Sequence, residues 1–464
     1  MKNIIVFGAA SGGRIIADAI TQQKGKFKLL CFLDNDDGLW GSEIGGVEVL
    51  GGVEELPQLL AQNEVHELIV AVSNIDQETL SILSLTCNAN LVELKVIPDS
   101  LNIVLDDPIL NQVRDVDVID LLGRKEVYIR SDFINEWVSG SIIAITGAAG
   151  SIGSELVKQI CKFSPSKIIA IDINENDLYL LDLFVSRHYP NIDFVSSICS
   201  IQDYSSIESE FRREKPCMVF HCAAHKHVPL MERAPMQAIK NNVYGTYNVA
   251  KAAKKCLVGR FVLISTDKAV NPTNVMGASK RLAELLILSL NEDDPNTRFM
   301  VVRFGNVLGS AGSVIPIFKE LLKEGKDLTV TDERMTRYFM TIPEAARLVI
   351  EAGFTGSGGE LFVLDMGEPV KIQDLAKNMI ALSGANVGIN YVGLRPGEKL
   401  YEELFYDNDS VVATKNEKIL ISMSEASVNI SMEDILEKLD KVIMFNADAK
   451  QFLLDVVPTY RPDL

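Results

Sequence analysis

Two stretches of the chain, far apart in the sequence, repeat the same order of apolar and polar positions. Each begins with a short apolar run, at residues 4–7 and 142–145, which leads into a glycine-containing turn and a helical pattern. In both stretches a second apolar run then ends in an acidic residue, at 31–34 and 168–172. Strand, glycine turn, helix and acid-terminated strand open a Rossmann unit, so the pattern predicts two such units.

Further short apolar runs, for example at 67–72 and 91–97, alternate with helical patterns. Buried strands that alternate with helices indicate a parallel sheet covered on both faces. We therefore predict an α/β fold with two doubly wound parallel sheets. A Rossmann-like domain is expected over residues 1–112, a connector over 113–138 and a second domain over 139–464.

The composition mainly excludes classes of partner. A formal net charge of -18 over 464 residues repels phosphate backbones, so we expect no nucleic-acid partner. The seven cysteines are scattered without metal-binding spacing, which indicates reduced thiols of a cytoplasmic protein and no metal site. No apolar run approaches the roughly 18 to 20 residues of a membrane helix, and the run at 4–7 is too short for a signal peptide.

The first glycine turn is a weakened phosphate-binding motif. Gly8, Ala10 and Gly13 match G-x-A-x-x-G, and Asp34 follows where a ribose-binding acid would lie. Two interpretations stay open here. The turn belongs either to a nucleotide or nucleotide-sugar site, or to a Rossmann-shaped domain whose glycines only form the turn.

The second glycine turn has the full spacing of a dinucleotide site. Gly147 permits a tight turn, Gly150 lets a pyrophosphate approach the backbone, and Gly153 lets the helix pack close to the sheet. Asp172 is placed to accept hydrogen bonds from an adenosine ribose, which favours NAD; a nearby cation would make NADP possible.

The stretch His221-Cys222-Ala223-Ala224-His225-Lys226-His227-Val228-Pro229 resembles the H-A-A-A-x-K-H-V-P signature of bacterial polysaccharide-biosynthesis (CapD-like) nucleotide-sugar 4,6-dehydratases. Further motifs follow in family order at residues 241–249, 265–272, 276–281, 303–310, 337–341 and 393–400. The resemblance implies an extended short-chain dehydrogenase/reductase fold for 139–464. Its cofactor-binding part would span about 139–305 and its substrate-binding part mostly 306–410. The stretch 120–124 is similar to the part that follows the membrane helices of long family members, so the chain resembles a long form without those helices.

The resemblance also implies a reaction. The sugar is oxidised at C4, the C5 proton and C6 hydroxyl are eliminated, and the hydride returns to C6, so the NAD stays tightly bound and is recycled. Thr266 would position the sugar, Asp267 would protonate the leaving hydroxyl, Lys268 would remove the C5 proton, and Lys280 would hold the nicotinamide ribose. Asp267, Lys268 and a water stay open as acceptors of the C4 hydroxyl proton.

Met276 stands where dehydrogenases of this fold usually carry a catalytic tyrosine, four residues before Lys280. A thioether cannot take up a proton, so the generic dehydrogenase mechanism does not apply. The long, configuration-retaining members of the family carry the same methionine. The resemblance therefore implies that the configuration at C5 is retained.

The remaining site residues come from the same motifs. We expect the cofactor to contact Gly147, Gly150, Ser151, Ile152, Gly153, Asp172, Ala223, Ala224, Asn242 and Lys280. We expect the substrate to contact His225, Lys226, Asn306, Arg337, Arg395 and Glu398. A guanidinium suits a bidentate diphosphate contact. For Arg337 an ion pair at a helix cap is an equal alternative, and for Asn242 we favour a buried role that holds backbone near the cofactor.

The family resemblance implies UDP-N-acetylglucosamine as substrate and UDP-2-acetamido-2,6-dideoxy-α-D-xylo-hexos-4-ulose as product, for surface glycan or glycoprotein sugar synthesis. A C5-inverting dehydratase or a 4-epimerase on a related nucleotide sugar is the alternative enzyme. A catalytically silent nucleotide-sensing scaffold is the alternative outside enzymes. Extended short-chain dehydrogenases commonly pair through the helix after the Asn242 segment and the helix that carries Lys280, so we also expect at least a dimer.

Overall fold

The computed structural model describes residues 1–23, 25–72, 75–97, 109–116, 120, 131–291, 296–406, 410–423 and 431–462. Much of the predicted connector, at 117–119 and 121–130, lies outside the described residues, and so does most of the 120–124 motif. None of the described helices is long and apolar enough to cross a membrane. The described residues also contain no group of three or more potential metal ligands.

The chain forms two compact units, each with its own sheet. The first unit comprises Met1–Glu126, Ile317–Val330 and Gln373–Asn390, and the second comprises Val127–Pro316, Thr331–Ile372 and Tyr391–Leu464. Two segments from late in the sequence therefore pack within the unit that the N-terminal residues build.

The bounds of the regular elements are as follows. The strands are β1 Lys2–Phe7, β2 Phe27–Leu33, β3 Glu43–Ile44, β4 Val47–Gly51, β5 Glu67–Val70, β6 Glu93–Val96, β7 Arg114–Asp115, β8 Ile142–Thr146, β9 Lys167–Asp172, β10 Asp193–Ile198, β11 Met218–His221, β12 Arg260–Thr266, β13 Arg298–Phe304, β14 Asn306–Val307, β15 Leu328–Val330, β16 Thr336–Arg337, β17 Phe339–Met340, β18 Leu361–Leu364, β19 Val370–Lys371, β20 Ile389–Tyr391, β21 Val411–Ala413 and β22 Ile419–Ser422. The helices are α1 Ser11–Gln22, α2 Leu56–Gln62, α3 Gln77–Ala89, α4 Ile109–Gln112, α5 Ser131–Val138, α6 Ser151–Cys161, α7 Glu175–His188, α8 Tyr204–Glu214, α9 Val228–Arg233, α10 Pro235–Ala238, α11 Thr246–Lys255, α12 Val275–Ser289, α13 Val314–Lys323, α14 Ile342–Thr355, α15 Ile372–Ser383, α16 Met432–Phe445 and α17 Ala449–Val456.

The strand orders confirm the predicted α/β class with two Rossmann-like sheets. The first unit has the order β3-β4-β2-β1-β5-β6-β7, and the second has β10-β9-β8-β11-β12-β13-β18-β22-β21. Pairing is parallel through the centre of both sheets, whereas β3 with β4, β6 with β7, and β22 with both β18 and β21 pair antiparallel. The prediction of purely parallel sheets is therefore refined at the edges. In the second sheet the order reverses between β8 and β11, where ligands bind in folds of this kind.

The central strands form because their apolar runs are covered on both faces. All of the residues of β11 are buried, and so are all of the residues of β12 except Thr266. One core cluster packs α6 and α14 on one face of the second sheet, and another packs α8 and α11 on the opposite face. This packing brings the C-terminal ends of β8, β11, β12 and β13 to one edge of the sheet.

In the first unit, close packing accounts for two glycines at the end of the first glycine turn. A Cβ at Gly12 would lie 2.1 Å from the Ala71 carbonyl oxygen, and one at Gly13 would lie 2.1 Å from the Gly8 carbonyl oxygen. The Asp34 carboxylate accepts a hydrogen bond from the Ala9 N–H at 2.7 Å. The glycines therefore satisfy a steric requirement of the strand–helix turn whether or not a ligand binds there.

The helix that carries Lys280 is covered by the C-terminal part of its own chain. Residues 275–287 of α12 are all buried. Val275, Leu282 and Leu286 share a core cluster with Leu439 of α16 and Phe452 of α17. The predicted dimer was expected to form partly through this helix, which is buried by the C-terminal helices of the same chain. The dimer stays a prediction.

Candidate active site

The glycine turn after β8 packs directly against the loop after β11. Gly147 has a positive φ of 67°, and a Cβ there would lie 2.6 Å from the Ala223 nitrogen. A Cβ at Gly153 would lie 2.1 Å from the Gly147 carbonyl oxygen, so α6 approaches the turn as closely as backbone permits. A side chain at Gly147 would push apart the two loops that meet at the reversal of strand order. A side chain at Gly153 would push α6 away from the glycine turn.

The start of α6 suits an anionic group. Gly150 is the N-terminal cap and is exposed, and within the described residues no side chain caps this helix end. Unpaired N–H groups and the positive end of the helix dipole favour a diphosphate at such a position. Ser151 and Ile152, the first residues of α6, are half-buried, and the Ser151 hydroxyl accepts a hydrogen bond from the Ala311 N–H at 3.2 Å.

Asp172 ties the glycine turn to the end of β9. Its Oδ2 accepts from the Ala149 N–H at 2.9 Å, and its Oδ1 accepts from the Asn174 N–H at 2.9 Å. A carboxylate oxygen has two lone pairs, so each oxygen retains capacity for a further donor such as a ribose hydroxyl. Its position beside the turn is the one that the sequence predicted for an adenosine contact.

Asn242 holds the loop that carries His225. Its Oδ1 accepts from the His225 N–H at 2.8 Å, and its Nδ2 donates to the His225 carbonyl at 3.0 Å and to Ser279 Oγ at 3.1 Å. The residue is fully buried and lies in a π-helical turn, Ile239–Gly245, of the kind often found at functional sites. The side chain therefore fixes backbone and is not exposed to a ligand.

Lys280 lies buried beneath the end of β12. Its Nζ donates to the Ile264 carbonyl oxygen at 2.7 Å. Burial lowers the pKa of this amine to about 8, against the opposing effect of Glu284. Met276, one helical turn earlier on α12, is also buried, so no proton donor occupies the position of the usual tyrosine.

The triplet Thr266, Asp267 and Lys268 lies where β12 ends. Thr266 Oγ1 donates to Asp267 Oδ1 at 2.8 Å, and Lys268 Nζ donates to the same oxygen at 3.0 Å. Lys268 Nζ also donates to Asn306 Oδ1 at 3.3 Å. The structure therefore joins the predicted triplet and Asn306, which was predicted from another motif, in one hydrogen-bonded group.

The second carboxylate oxygen of Asp267, Oδ2, accepts no hydrogen bond from the described residues. Asp267 is completely buried, and Oδ2 has no hydrogen-bond partner among the described residues. A Cβ at Gly305 would lie 3.2 Å from this oxygen, so Oδ2 faces the backbone of the turn after β13. Buried polar atoms without a partner are uncommon in folded proteins, so this oxygen is an unused acceptor at the end of β12.

Lys268 is held between carboxylates. Burial alone would lower the pKa of its ammonium group, but the charges of Asp267 and Glu402 outweigh burial and raise this pKa above the usual value, with Arg337 acting in the opposite direction. The Glu402 Oε1 atom lies 3.4 Å from Lys268 Nζ. Sequence reasoning missed Glu402, which is one of two consecutive glutamates in an irregular segment without a periodic signal.

Arg337 is committed to backbone groups. Its guanidinium donates to the carbonyl oxygens of Thr336 and Leu400 at 2.7 and 2.9 Å and to that of Lys399 at 2.7 Å. The side chain is 9% exposed, and its Nε lies 3.6 Å from Glu402 Oε1. This arrangement favours a role in holding the 399–402 segment over a direct diphosphate contact.

The other predicted substrate contacts lie at more accessible positions. Arg395 and Lys226 are exposed, while His225 and Glu398 are partly buried; Ala224, which was predicted to contact the cofactor, is exposed as well. Glu398 Oε2 accepts from the Arg395 N–H at 3.3 Å. The side chains of this group are therefore available to a ligand, although only the Arg395–Glu398 pair is linked by a hydrogen bond in the described structure.

A buried histidine, not assigned a role from the sequence, lies at the end of β11. His221 Nδ1 is 2.6 Å from Thr146 Oγ1, and Nε2 is 2.9 Å from Thr246 Oγ1. Burial and, to a smaller extent, the Lys280 charge lower the pKa of His221 to about 3. The ring is thus neutral and connects β8, β11 and α11 beneath the glycine turn.

The strand order and the glycine turn are those of an extended short-chain dehydrogenase/reductase of the nucleotide-sugar dehydratase and epimerase class. The chain belongs to the polysaccharide biosynthesis protein family, whose model matches residues 143–424. The resemblance that the motifs suggested is thereby confirmed at the level of the family.

Three known proteins illustrate the similarity. The capsular polysaccharide biosynthesis protein CapD of Staphylococcus aureus is 45% identical over 450 residues, which cover 95% of this chain and 75% of that protein. A UDP-N-acetylglucosamine 4,6-dehydratase (inverting) of Campylobacter jejuni is 36% identical over 272 residues, which cover 58% of this chain and 78% of that protein. The X-ray structure of Pen from Bacillus thuringiensis matches with a TM-score of 0.58 and 32% identity, covering 67% of this chain and 99% of that one.

Proposed function

We propose that the protein is a UDP-N-acetylglucosamine 4,6-dehydratase that retains the configuration at C5. The observation that carries this proposal is the contact between Lys268 Nζ and Asp267 Oδ1, 3.0 Å long, at the end of β12. A dehydratase needs one base at C5 and one acid at the C6 hydroxyl of the same sugar ring. The triplet offers an amine and a carboxyl group within reach of each other at the edge of the sheet where ligands bind.

One proton transfer within this pair would prepare both groups. The raised pKa of Lys268 means that its amine carries the proton in the resting state. Transfer of that proton to the buried Asp267 leaves a neutral amine that can accept the C5 proton and a carboxylic acid that can protonate the leaving hydroxyl.

A nicotinamide dinucleotide fits the glycine turn, and we propose that NAD is bound tightly and recycled. When bound, the nicotinamide would accept the C4 hydride and return it to C6. The first turn of α6 would hold the pyrophosphate, and the free lone pairs of Asp172 would accept from the adenosine ribose. Lys280 would hold the nicotinamide ribose, since its amine lies below the end of β12 beside the triplet.

Two further points support the substrate and the stereochemistry. A relative that is 36% identical carries the name UDP-N-acetylglucosamine 4,6-dehydratase, which supports the same sugar nucleotide for this chain. Met276 supports retention at C5, in contrast to the inversion in that relative's name. Its buried thioether carries no proton, so it cannot protonate C5 from the opposite face of the sugar. Arg395 and Glu398 are proposed to contact the diphosphate end of the substrate.

The proposal is tested by incubating the purified protein with UDP-N-acetylglucosamine in deuterated water without added cofactor. We expect a product that has lost one water and gained one non-exchangeable deuterium, which mass spectrometry would detect after transfer to ordinary water. The NMR spectrum of product formed in ordinary water, read from its ring coupling constants and nuclear Overhauser contacts, would then report the configuration at C5. Unchanged substrate, even after NAD and NADP are added, would overturn the assignment.

The same experiment separates the alternatives. A 4-epimerase would give a product of unchanged heavy-atom composition, and an inverting dehydratase would give the other C5 epimer. A scaffold without catalysis would bind UDP-sugars but leave them intact in every arm, and its cellular role would survive Lys268→Met.

A further inference from the structure

Glu402 lies between two cations at the end of β12. A single oxygen, Oε1, is 3.4 Å from Lys268 Nζ and 3.6 Å from Arg337 Nε, and the side chain is only 5% exposed. A carboxylate that is buried this deeply needs charged partners to remain ionised. Lys268 and Arg337 supply them, so the position of Glu402 and the position of Lys268 depend on each other.

The segment that carries Glu402 is anchored on two sides. Arg337 donates to the carbonyl oxygens of Lys399 and Leu400 at 2.7 and 2.9 Å. The Gly397 carbonyl accepts from Thr273 Oγ1 at 3.1 Å and from Asn274 Nδ2 at 2.9 Å. These bonds fix the backbone close to Glu402, so that its carboxylate has a defined place opposite the triplet.

Charged groups of both signs surround Lys268. Asp267 and Glu402 face the lysine as anions, and Arg337 faces it as a cation; Glu398, 3.8 Å from Arg337, lies behind that pair. Asn306 is a neutral acceptor for the same ammonium group. Without the Glu402 charge, Asp267 would be the one anion within 4 Å of Lys268 Nζ among the described residues, and Arg337 would keep only Glu398, at 3.8 Å.

We propose that Glu402 is a positioning residue that holds the Lys268 side chain against Asp267 and within reach of the reacting carbon. The proposal rests on the proposed dehydratase function, because Lys268 is there the base at C5. It adds a residue outside the triplet whose role is carried out through Lys268. Glu402 makes no contact with the sugar in this assignment.

The matched test compares Glu402→Gln with Glu403→Gln. Both remove one carboxylate charge from neighbouring positions, but Glu403 is 39% exposed and forms its ion pair with Lys399. Thermal unfolding of both variants would establish first that they fold. The conservative variant Glu402→Asp keeps the negative charge but places the carboxylate farther from Lys268, because its side chain is one methylene group shorter.

The first readout does not need activity. Lys268 is labelled with acetic anhydride across a range of pH, and peptide mass spectrometry gives the midpoint at which its amine becomes reactive. Loss of a neighbouring anion stabilises the neutral amine, so we expect the midpoint to fall by about one pH unit in Glu402→Gln. It should stay unchanged in Glu403→Gln and lie between the two in Glu402→Asp.

The second readout is dehydration of UDP-N-acetylglucosamine. We expect kcat to fall about ten- to hundredfold in Glu402→Gln with little change in KM, because a displaced base slows the elimination more than it weakens binding. A midpoint for Lys268 equal to that of the wild-type protein would overturn the positioning role. If the midpoint shifts in Glu402→Gln but the wild-type protein dehydrates no sugar nucleotide, the contact between Glu402 and Lys268 is upheld and only the proposed reaction is overturned.

Discussion

Lys268 and Asp267, adjacent in the chain, share one hydrogen bond of 3.0 Å between an ammonium group and a buried carboxylate. Neighbouring side chains of an extended strand point to opposite faces, and this pair can meet because the strand ends at Thr266 and a short 3-10 turn, Asp267–Ala269, follows. The turn is capped by Thr266, whose Oγ1 accepts from the Lys268 N–H. The chemistry of the pair therefore depends on where β12 ends.

Substitution of either member should abolish the elimination step. General acid and base groups each contribute about 10²- to 10⁴-fold, so Lys268→Met and Asp267→Asn should both lower kcat by at least about 10²-fold. Binding of UDP, followed by calorimetry, should change little because neither group is assigned to the diphosphate. A Lys268→Met protein that still forms the dehydrated product at near the wild-type rate would exclude Lys268 as the base.

Much of the fold followed from the pattern of apolar runs. The runs at 4–7 and 168–172 lie within β1 and β9, and both glycine turns join a strand to a helix. These features are local, since a strand with both faces buried needs a continuous apolar run and the tight turn needs glycine. Local signals of this kind are visible in one sequence without any knowledge of its partners.

The parts that could not be predicted depend on contacts between distant segments. Glu402 is more than a hundred residues from Lys268 in sequence, and nothing in its immediate neighbours marks it as buried. For Arg337 the sequence left a substrate contact and an ion pair at a helix cap open, and it did not indicate the hydrogen bonds that the guanidinium donates to backbone carbonyls of the 399–400 segment. Neither arrangement follows from spacing, because both depend on how an irregular segment packs against β12 and β16.

The pH dependence of the oxidation step should report Lys280. Its pKa is lowered to about 8 by burial, so the amine is protonated below that pH and loses its charge above it. A cation beside the nicotinamide favours acceptance of hydride, and the rate of C4 oxidation should therefore decline as the pH rises from 7 to 9. Stopped-flow absorbance of the reduced nicotinamide measures this rate.

Lys280→Arg supplies the control, since a guanidinium stays charged throughout this range. Its oxidation rate, although lower, should be flat between pH 7 and 9. The same decline in Lys280→Arg as in the wild-type protein would assign the titration to another group.

The absence of a side chain at Gly305 is expected to leave the space that the Asp267 carboxylate needs. In Gly305→Ala the new Cβ would lie 3.2 Å from Asp267 Oδ2, 3.2 Å from Tyr338 Cβ and 3.3 Å from Met366 Cε. All three neighbours are close, so we expect a loss of about 1–3 kcal/mol in stability and a reduction of kcat by about tenfold or more as the carboxylate moves.

Gly259→Ala is the matched control for crowding without displacement of Asp267. Its Cβ would lie 3.3 Å from the Cys217 carbonyl oxygen at the opposite end of β12. A comparable loss of stability with unchanged kcat is expected there. Equal effects of the two variants on kcat would show that crowding in general, and not the position of Asp267, controls activity.

The oligomeric state is a separate prediction. We expect at least a dimer by light scattering at working concentration, formed through a surface other than the buried side of α12, because α17 already packs on that helix and α16 shares its core cluster. Met444 and Phe445 at the end of α16 are 75% and 72% exposed, so Phe445→Glu is the first variant to examine. If light scattering shows that the wild-type protein is a monomer at this concentration, the prediction of a dimer is wrong.

His221 should make the second unit sensitive to acid. In the folded protein its pKa is lowered to about 3, mainly by burial, whereas in the unfolded chain it lies near the ordinary value of 6.5. Between these values the unfolded chain binds the proton and the folded protein does not, so stability is complete above about pH 6.5 and is lost as the pH falls. At pH 5 the loss from this residue is about 2 kcal/mol.

The two tryptophans of the chain allow this unit to be followed by itself. Trp40→Phe leaves Trp137, which contacts Arg260 in the second unit, as the fluorescent reporter of urea unfolding. In this background the free energy of unfolding should fall more steeply from pH 7 to pH 5 with His221 present than in His221→Gln, whose amide cannot take up a proton. His225 and His227 titrate equally in both proteins, so they cancel in the comparison. Identical slopes would mean that His221 is protonated within the fold, and the hydrogen bonds to Thr146 and Thr246 would then have to be rearranged in acid.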